Sequence, residues 1–173
     1  DSSDGSTNLF WSNVSAANTG FPPVLYGDSG GSITTLQMQQ GDGGANPHFW
    51  GPEFGLSRAL AKNSRGNNVL IIKASRGGGG NGLWDKDTLE ANNNSGHMWG
   101  YLVETVDAGL GQINAGTKFK VKGLIYMQGE SNNSGQAAIA DTRLAALADN
   151  LRSHINTNHN NSATKMYTVA AEI

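Results

Sequence analysis

Gln128-Gly129-Glu130-Ser131 directly follows the apolar run Leu124-Ile125-Tyr126-Met127. An amide, a glycine and a carboxylate at the end of a buried strand can hydrogen-bond a substrate or orient a histidine. The same residues also fit a capping turn, because Ser131 to Ser134 precede a helical pattern. A second glycine-rich stretch, Gly77 to Gly80, follows Val69-Leu70-Ile71-Ile72. Glycines in that position let backbone N–H groups approach an anion or oxyanion closely. A plain surface loop is the alternative. Neither G-x-G-x-x-G nor G-x-x-x-x-G-K-[ST] is present in full, and no helix opens at once, so a nucleotide site is not expected.

Other constellations carry less. Gly27-Asp28-Ser29-Gly30-Gly31 spells the nucleophile motif of chymotrypsin-like proteases, but no histidine precedes it and the element pattern is wrong for that fold. A turn is the better reading. His48, His97, His154 and His159 show no H-x-x-x-H spacing and no carboxylate partner in a metal pattern, so neither a metal nor any other cofactor is expected. Cysteine is absent, which excludes disulfide scaffolds, thiolate nucleophiles and Cys-type zinc sites together.

The elements that must hold these loops can be read from periodicity. Pro52 suits a first helical position and Glu53 a first turn, and Phe54, Leu56, Ala59 and Leu60 recur at near-helical spacing. Pro52 to Lys62 therefore predicts a helix. Continuous apolar runs predict strands buried on both faces near 69–73, 120–127 and 166–172. Helices are expected over His97 to Leu110 and over Ile139 to Ile155, the latter with Leu144, Leu147, Leu151 and Ile155 on one stripe. Alternating helix and buried strand predicts an α/β domain whose three strands are parallel neighbours in one sheet. In such sheets the ligand site lies beyond the carboxyl ends of the strands, where both glycine-bearing loops fall. Residues 1–45 read as a loop-rich entry segment, with only Leu9-Phe10-Trp11 and Pro23-Val24-Leu25-Tyr26 as apolar runs.

With 173 residues the chain fits one domain, 1–173. Only 15% of residues are charged and the formal net charge is −2, which excludes a basic nucleic-acid surface. No apolar run approaches the roughly 18 residues a membrane helix needs. The 24 Gly and 19 Asn favour an extracellular, periplasmic or virion-surface setting over a cytosolic one. N-x-[ST] sequons occur at Asn13, Asn93, Asn132 and Asn160.

Three ordered blocks resemble a known family. Gly51-Pro52-Glu53-Phe54-Gly55 is similar to its G-P-E block, and Val69 to Ala74, the glycines and Leu83-Trp84 to its apolar strand, K-x-A, G-G-T and tryptophan. Gly123 to Asn132 is similar to its G-x-L-W-x-Q-G-E-S-D strand and loop, and Leu144 to Arg152 to the helix after it. The family is the SGNH-hydrolase branch that holds sialate O-acetylesterases and the acetylxylan esterases of carbohydrate esterase family six. The resemblance implies a three-layer α/β/α sandwich with a flavodoxin-like parallel sheet, and serine-dependent removal of acetyl groups from sugars. It implies that Gln128 is the polar side chain of the oxyanion loop and that Glu130 orients the serine–histidine pair. It also implies that Gly78 or Gly79 supplies an oxyanion N–H, with Asn132 in the substrate loop. An acetylated carbohydrate is then the expected partner.

The departures are equally specific. The family's G-Q-S-N and D-x-x-H blocks are missing, Gly-Gly-Gly-Gly replaces G-G-T, and Asn132 replaces an aspartate. One expectation is that these residues are the middle of a longer polypeptide whose nucleophile lies upstream of Asp1. The other is a decayed motif, with Ser12-Asn13 as its remnant, or Thr7. A binding or tail-fibre module that keeps the fold without the chemistry is the competing function.

Overall fold

Strand β1 (Ser3–Val14) forms where the sequence offers only three consecutive apolar residues, and it is the middle strand of its sheet. The computed structural model describes residues 3–14, 33–37, 52–63, 69–76, 80–87, 98–160 and 162–171, which group into two compact units.

The first unit holds β1, strand β2 (Thr34–Gln37), helix α1 (Pro52–Lys62) and strand β3 (Val69–Arg76), together with Thr105–Ile113. The strand order is β2-β1-β3. β1 runs antiparallel to β2 and parallel to β3, the latter in unbroken register from Thr7↔Val69 to Val14↔Arg76. Buried Leu9 and Leu36 form the core here, with Phe54 and Ile71 packed against them. The expectation that residues 1–45 are loop is thus corrected: two strands lie within them. Strand formation is decided by partners rather than by intrinsic preference, and β3 supplies eight residues of ladder. The buried polar residue of β1 that is described, Thr7, is satisfied inside, accepting a hydrogen bond from Ser57 Oγ at 2.9 Å. Helix α1 matches its sequence reading, with Glu53 in the first turn and Lys62 in the last, each complementing the helix dipole.

The second unit opens with a 3₁₀ turn (Asn81–Trp84) and continues through the first half of helix α2 (Met98–Gly111), strand β4 (Gly123–Met127), short helix α3 (Ser134–Ala137), helix α4 (Ala140–Asn158) and strand β5 (Tyr167–Ala171). β4 and β5 pair in parallel from Gly123↔Tyr167 to Met127↔Ala171. Leu147, Ala148, Leu151 and Ile155 form the buried stripe of α4, three of the four positions its periodicity gives. Leu144 is only half-buried.

The α/β class and the parallel pairing stand as expected. The first sheet has the order 2-1-3 with β2 antiparallel, and β4 and β5 are parallel neighbours in a sheet of their own. The expected neighbours are corrected. Among the described residues β3 pairs with β1, while β4 pairs only with β5. With no strand foreseen before Val69, the natural partner of β3 was invisible. Burial on both faces is corrected too, because β4 alternates between exposed and half-buried residues and β5 is exposed along its length.

Candidate active site

Tyr126 and Met127 end β4, and the chain leaves the strand through Gln128. A tight turn follows, closed by the Asn132 N–H donating to the Gly129 carbonyl at 3.0 Å. Glu130 and Ser131 occupy the two central positions of that turn and are exposed. Gln128 and Asn132, one on each side of the turn, are half-buried and touch. Gln128 Nε2 donates to Asn132 Oδ1 at 2.8 Å, and Tyr126 OH donates to Gln128 Oε1 at 3.3 Å.

The Asn132 oxygen has a second donor, the backbone N–H of Asn81 at 2.9 Å. Asn81 is 3% exposed and each polar atom of its side chain is bonded. Its Nδ2 donates to the Gln136 carbonyl at 2.8 Å, and its Oδ1 accepts from an Arg143 terminal nitrogen at 2.6 Å. Arg143 Nε also lies 3.7 Å from Asp85 Oδ2. The 3₁₀ turn, the loop after β4 and helix α4 are thereby laced together by amides and one ion pair. Trp84 meets Tyr126 edge to face, with ring centroids 6.0 Å apart. Burial pushes the Tyr126 phenol up to about 12, the Arg143 charge opposing this and the Glu130 charge adding to it.

The helix after the turn has its own cap. Asn133 accepts from the Gln136 N–H at 2.9 Å while Gln136 Oε1 accepts from the Asn133 N–H at 3.0 Å, a reciprocal capping box. The capping role that sequence alone left open for Glu130 is therefore filled by Asn133.

Of the residues expected in the site, the structure brings Gln128 and Asn132 together and sets Glu130 at the turn tip between them. Ser12 sits in β1 level with Ala74, two residues before the strand ends, in the first unit. Gly78 and Gly79 lie outside the described residues, as do Gly27 to Gly31, His48 and His97. Gly80 is described, and a Cβ there would come within 2.5 Å of Gln136 Oε1, so the glycine loop ends in a close approach to the capping side chain. Sequence reasoning missed Asn81, Asp85, Gln136 and Arg143. Gln136 shows only the three-residue capping spacing with Asn133; for Asn81, Asp85 and Arg143 the only signal is position, beside the glycine run or on the helix that follows the loop.

The loop after β4 thus presents a half-buried amide and an exposed carboxylate at the end of a parallel strand. Residues 38–161, well over half of the chain, match the family model described as carbohydrate esterase, sialic acid-specific acetylesterase. The chain belongs to that family of carbohydrate esterases. No curated protein and no solved structure matches it significantly. Gln128, Glu130, Asn132, Gly78 and Gly79 lie inside the matched residues, and Ser12 lies outside them.

Proposed function

We propose that the chain is a serine carboxylic-ester hydrolase, a single esterase-like domain over 1–173 that removes O-acetyl groups from sugars such as sialic acid or xylan-like glycans. The observation that carries this is the half-buried Gln128, held from both ends of its amide on the loop just past a parallel strand. A fixed donor in that place suits the negative oxygen that develops when an ester carbonyl is attacked. Glu130 is the carboxylate that supports a serine–histidine pair, and Gly78 or Gly79 adds a backbone N–H. Ser12, near the carboxyl end of β1, is the candidate nucleophile. The serine oxygen attacks the acetyl carbonyl, the sugar leaves with a proton, and water then releases acetate from the acyl-enzyme. An acetylated glycan is the partner, met outside the cell, in a periplasm or on a virion surface.

Acetate release from O-acetylated sialic acid, acetylated xylan and p-nitrophenyl acetate tests the reading. Turnover that falls in Ser12→Ala assigns the nucleophile; full turnover in that variant moves it elsewhere. Glycan binding with no acetate released from any substrate replaces the esterase with a binding module.

A further inference from the structure

We propose that Arg143 is a positioning residue for Gln128, acting through Asn81 and Asn132. The proposal rests on the esterase reading for its consequence in catalysis, but its geometry stands alone.

The polarity of the chain of amides is dictated from its ends. A guanidinium can only donate, so the Asn81 atom facing Arg143 at 2.6 Å is oxygen. The Gln136 backbone carbonyl can only accept, so the other Asn81 atom is nitrogen, in agreement with the first assignment. A backbone N–H can only donate, so the Asn132 atom facing Asn81 N at 2.9 Å is oxygen. That oxygen in turn requires the Gln128 nitrogen at 2.8 Å, which leaves the Gln128 oxygen towards Tyr126 OH. No member can flip its amide without setting like atoms against each other.

Arg143 is the one charged group among these hydrogen-bonding partners. It reaches across from α4, from a position 62 residues along the chain from Asn81. Asp85 holds its Nε side, so the guanidinium spans two anchors on the segment that carries the 3₁₀ turn. Removing it leaves the buried Asn81 oxygen without its charged donor, and the cheapest relief is for Asn81 to swing or rotate. The backbone N–H that holds Asn132 then moves, and Gln128 loses its fixed direction. Displacements of this size matter most to a group that must meet a transition state.

The test follows hydrogen exchange of the Gln128 side-chain amide by NMR, the resonance being assigned by its loss in Gln128→Glu. In Arg143→Ala we expect this amide to exchange about tenfold faster or more, with the backbone amides of α4 unchanged. Arg143→Lys is the second variant: one ammonium can bond Asn81 or Asp85 but not both, so intermediate exchange is expected. In acetate-release assays Arg143→Ala should lower kcat by about 10- to 100-fold while KM moves less than about twofold. Exchange at Gln128 that matches wild type in either folded variant overturns the proposal. A wild-type protein that releases no acetate overturns the esterase reading instead, and the exchange result still decides the role of Arg143.

Discussion

Lys73 Nζ lies 3.0 Å from Glu53 Oε1, and the carboxylate is only 6% exposed. The two residues stand 20 apart, in the G-P-E and K-x-A blocks that sequence reading treats separately. One contact therefore explains both blocks: it ties the first turn of α1 to β3. The carboxylate gains twice, from the ammonium and from the positive end of the helix dipole.

Breaking that pair should cost more than a surface ion pair does. Glu53→Ala strands the Lys73 charge against a largely buried site, and we expect a loss of about 3 kcal/mol in urea unfolding. Replacing both residues by methionine should recover most of it. Equal, small losses in all variants would mean that water reaches the pair freely.

Gly109 of α2 packs directly against side chains of the first sheet. A Cβ there would sit 2.9 Å from Ile72 Cδ1 and 3.0 Å from Phe10 Cδ1. Alanine favours a helix over glycine by about 1 kcal/mol, yet overpacking a core costs about 1–3 kcal/mol. Gly109→Ala should therefore lower the melting temperature, and adding Ile72→Val should restore part of it. A rise in melting temperature for Gly109→Ala would show that the sheet yields easily.

Glu130 offers a sharper functional test, because Asn133 already caps the helix that follows. Glu130→Gln should leave the melting temperature unchanged and lower kcat for acetate release by about 100-fold, the usual scale of general-base assistance. An unaltered kcat would reduce Glu130 to a turn residue.

Tyr126 predicts a pH effect with a definite sign. Its phenol stays protonated in the folded protein up to about 12, against an ordinary 10.0 when unfolded. Between those values the unfolded chain binds fewer protons, so stability falls as pH rises. The useful quantity is the difference from Tyr126→Phe, in which only the phenol hydroxyl is lost. Urea unfolding should show wild type losing its advantage over that variant between pH 10.0 and about 12. Parallel pH curves for the two proteins would place the phenol in water.

What could be read from the chain follows from how local each signal is. Helix α1 was legible to the residue because Pro52, Glu53 and a 3.6-residue apolar repeat lie within eleven positions. The loop at Gln128 was legible because it abuts an unbroken apolar strand. β1 was not, since its stability comes from a ladder with β3 more than fifty residues on, and a buried Thr7 looks like loop until Ser57 is seen beside it. The helix expected from Ile139 to Ile155 proved to be α4 (Ala140–Asn158), preceded by the separate turn α3. A reciprocal Asn133–Gln136 cap starts α3, whereas α4 begins after Ile139 with no side-chain cap to mark it in the sequence. Asn81 and Arg143 were illegible for the same reason as β1: their partners are distant in sequence.

Asn81 is followed by Gly82, and that pairing has a bearing on chemical ageing. In an unfolded chain the Gly82 nitrogen readily attacks the Asn81 side-chain carbonyl; a succinimide closes, ammonia leaves, and water opens the ring to aspartate or isoaspartate. In the folded protein both side-chain polar atoms are held and the backbone is wound into a 3₁₀ turn, which keeps nitrogen and carbonyl apart. Folding thus acts as a preservative for its own hub. A sample left denatured deamidates at this position, and the carboxylate it acquires would face the Gln136 carbonyl, where a donor is required. Material refolded after long storage in denaturant should therefore contain a more acidic fraction that regains its helices but not the fixed Gln128.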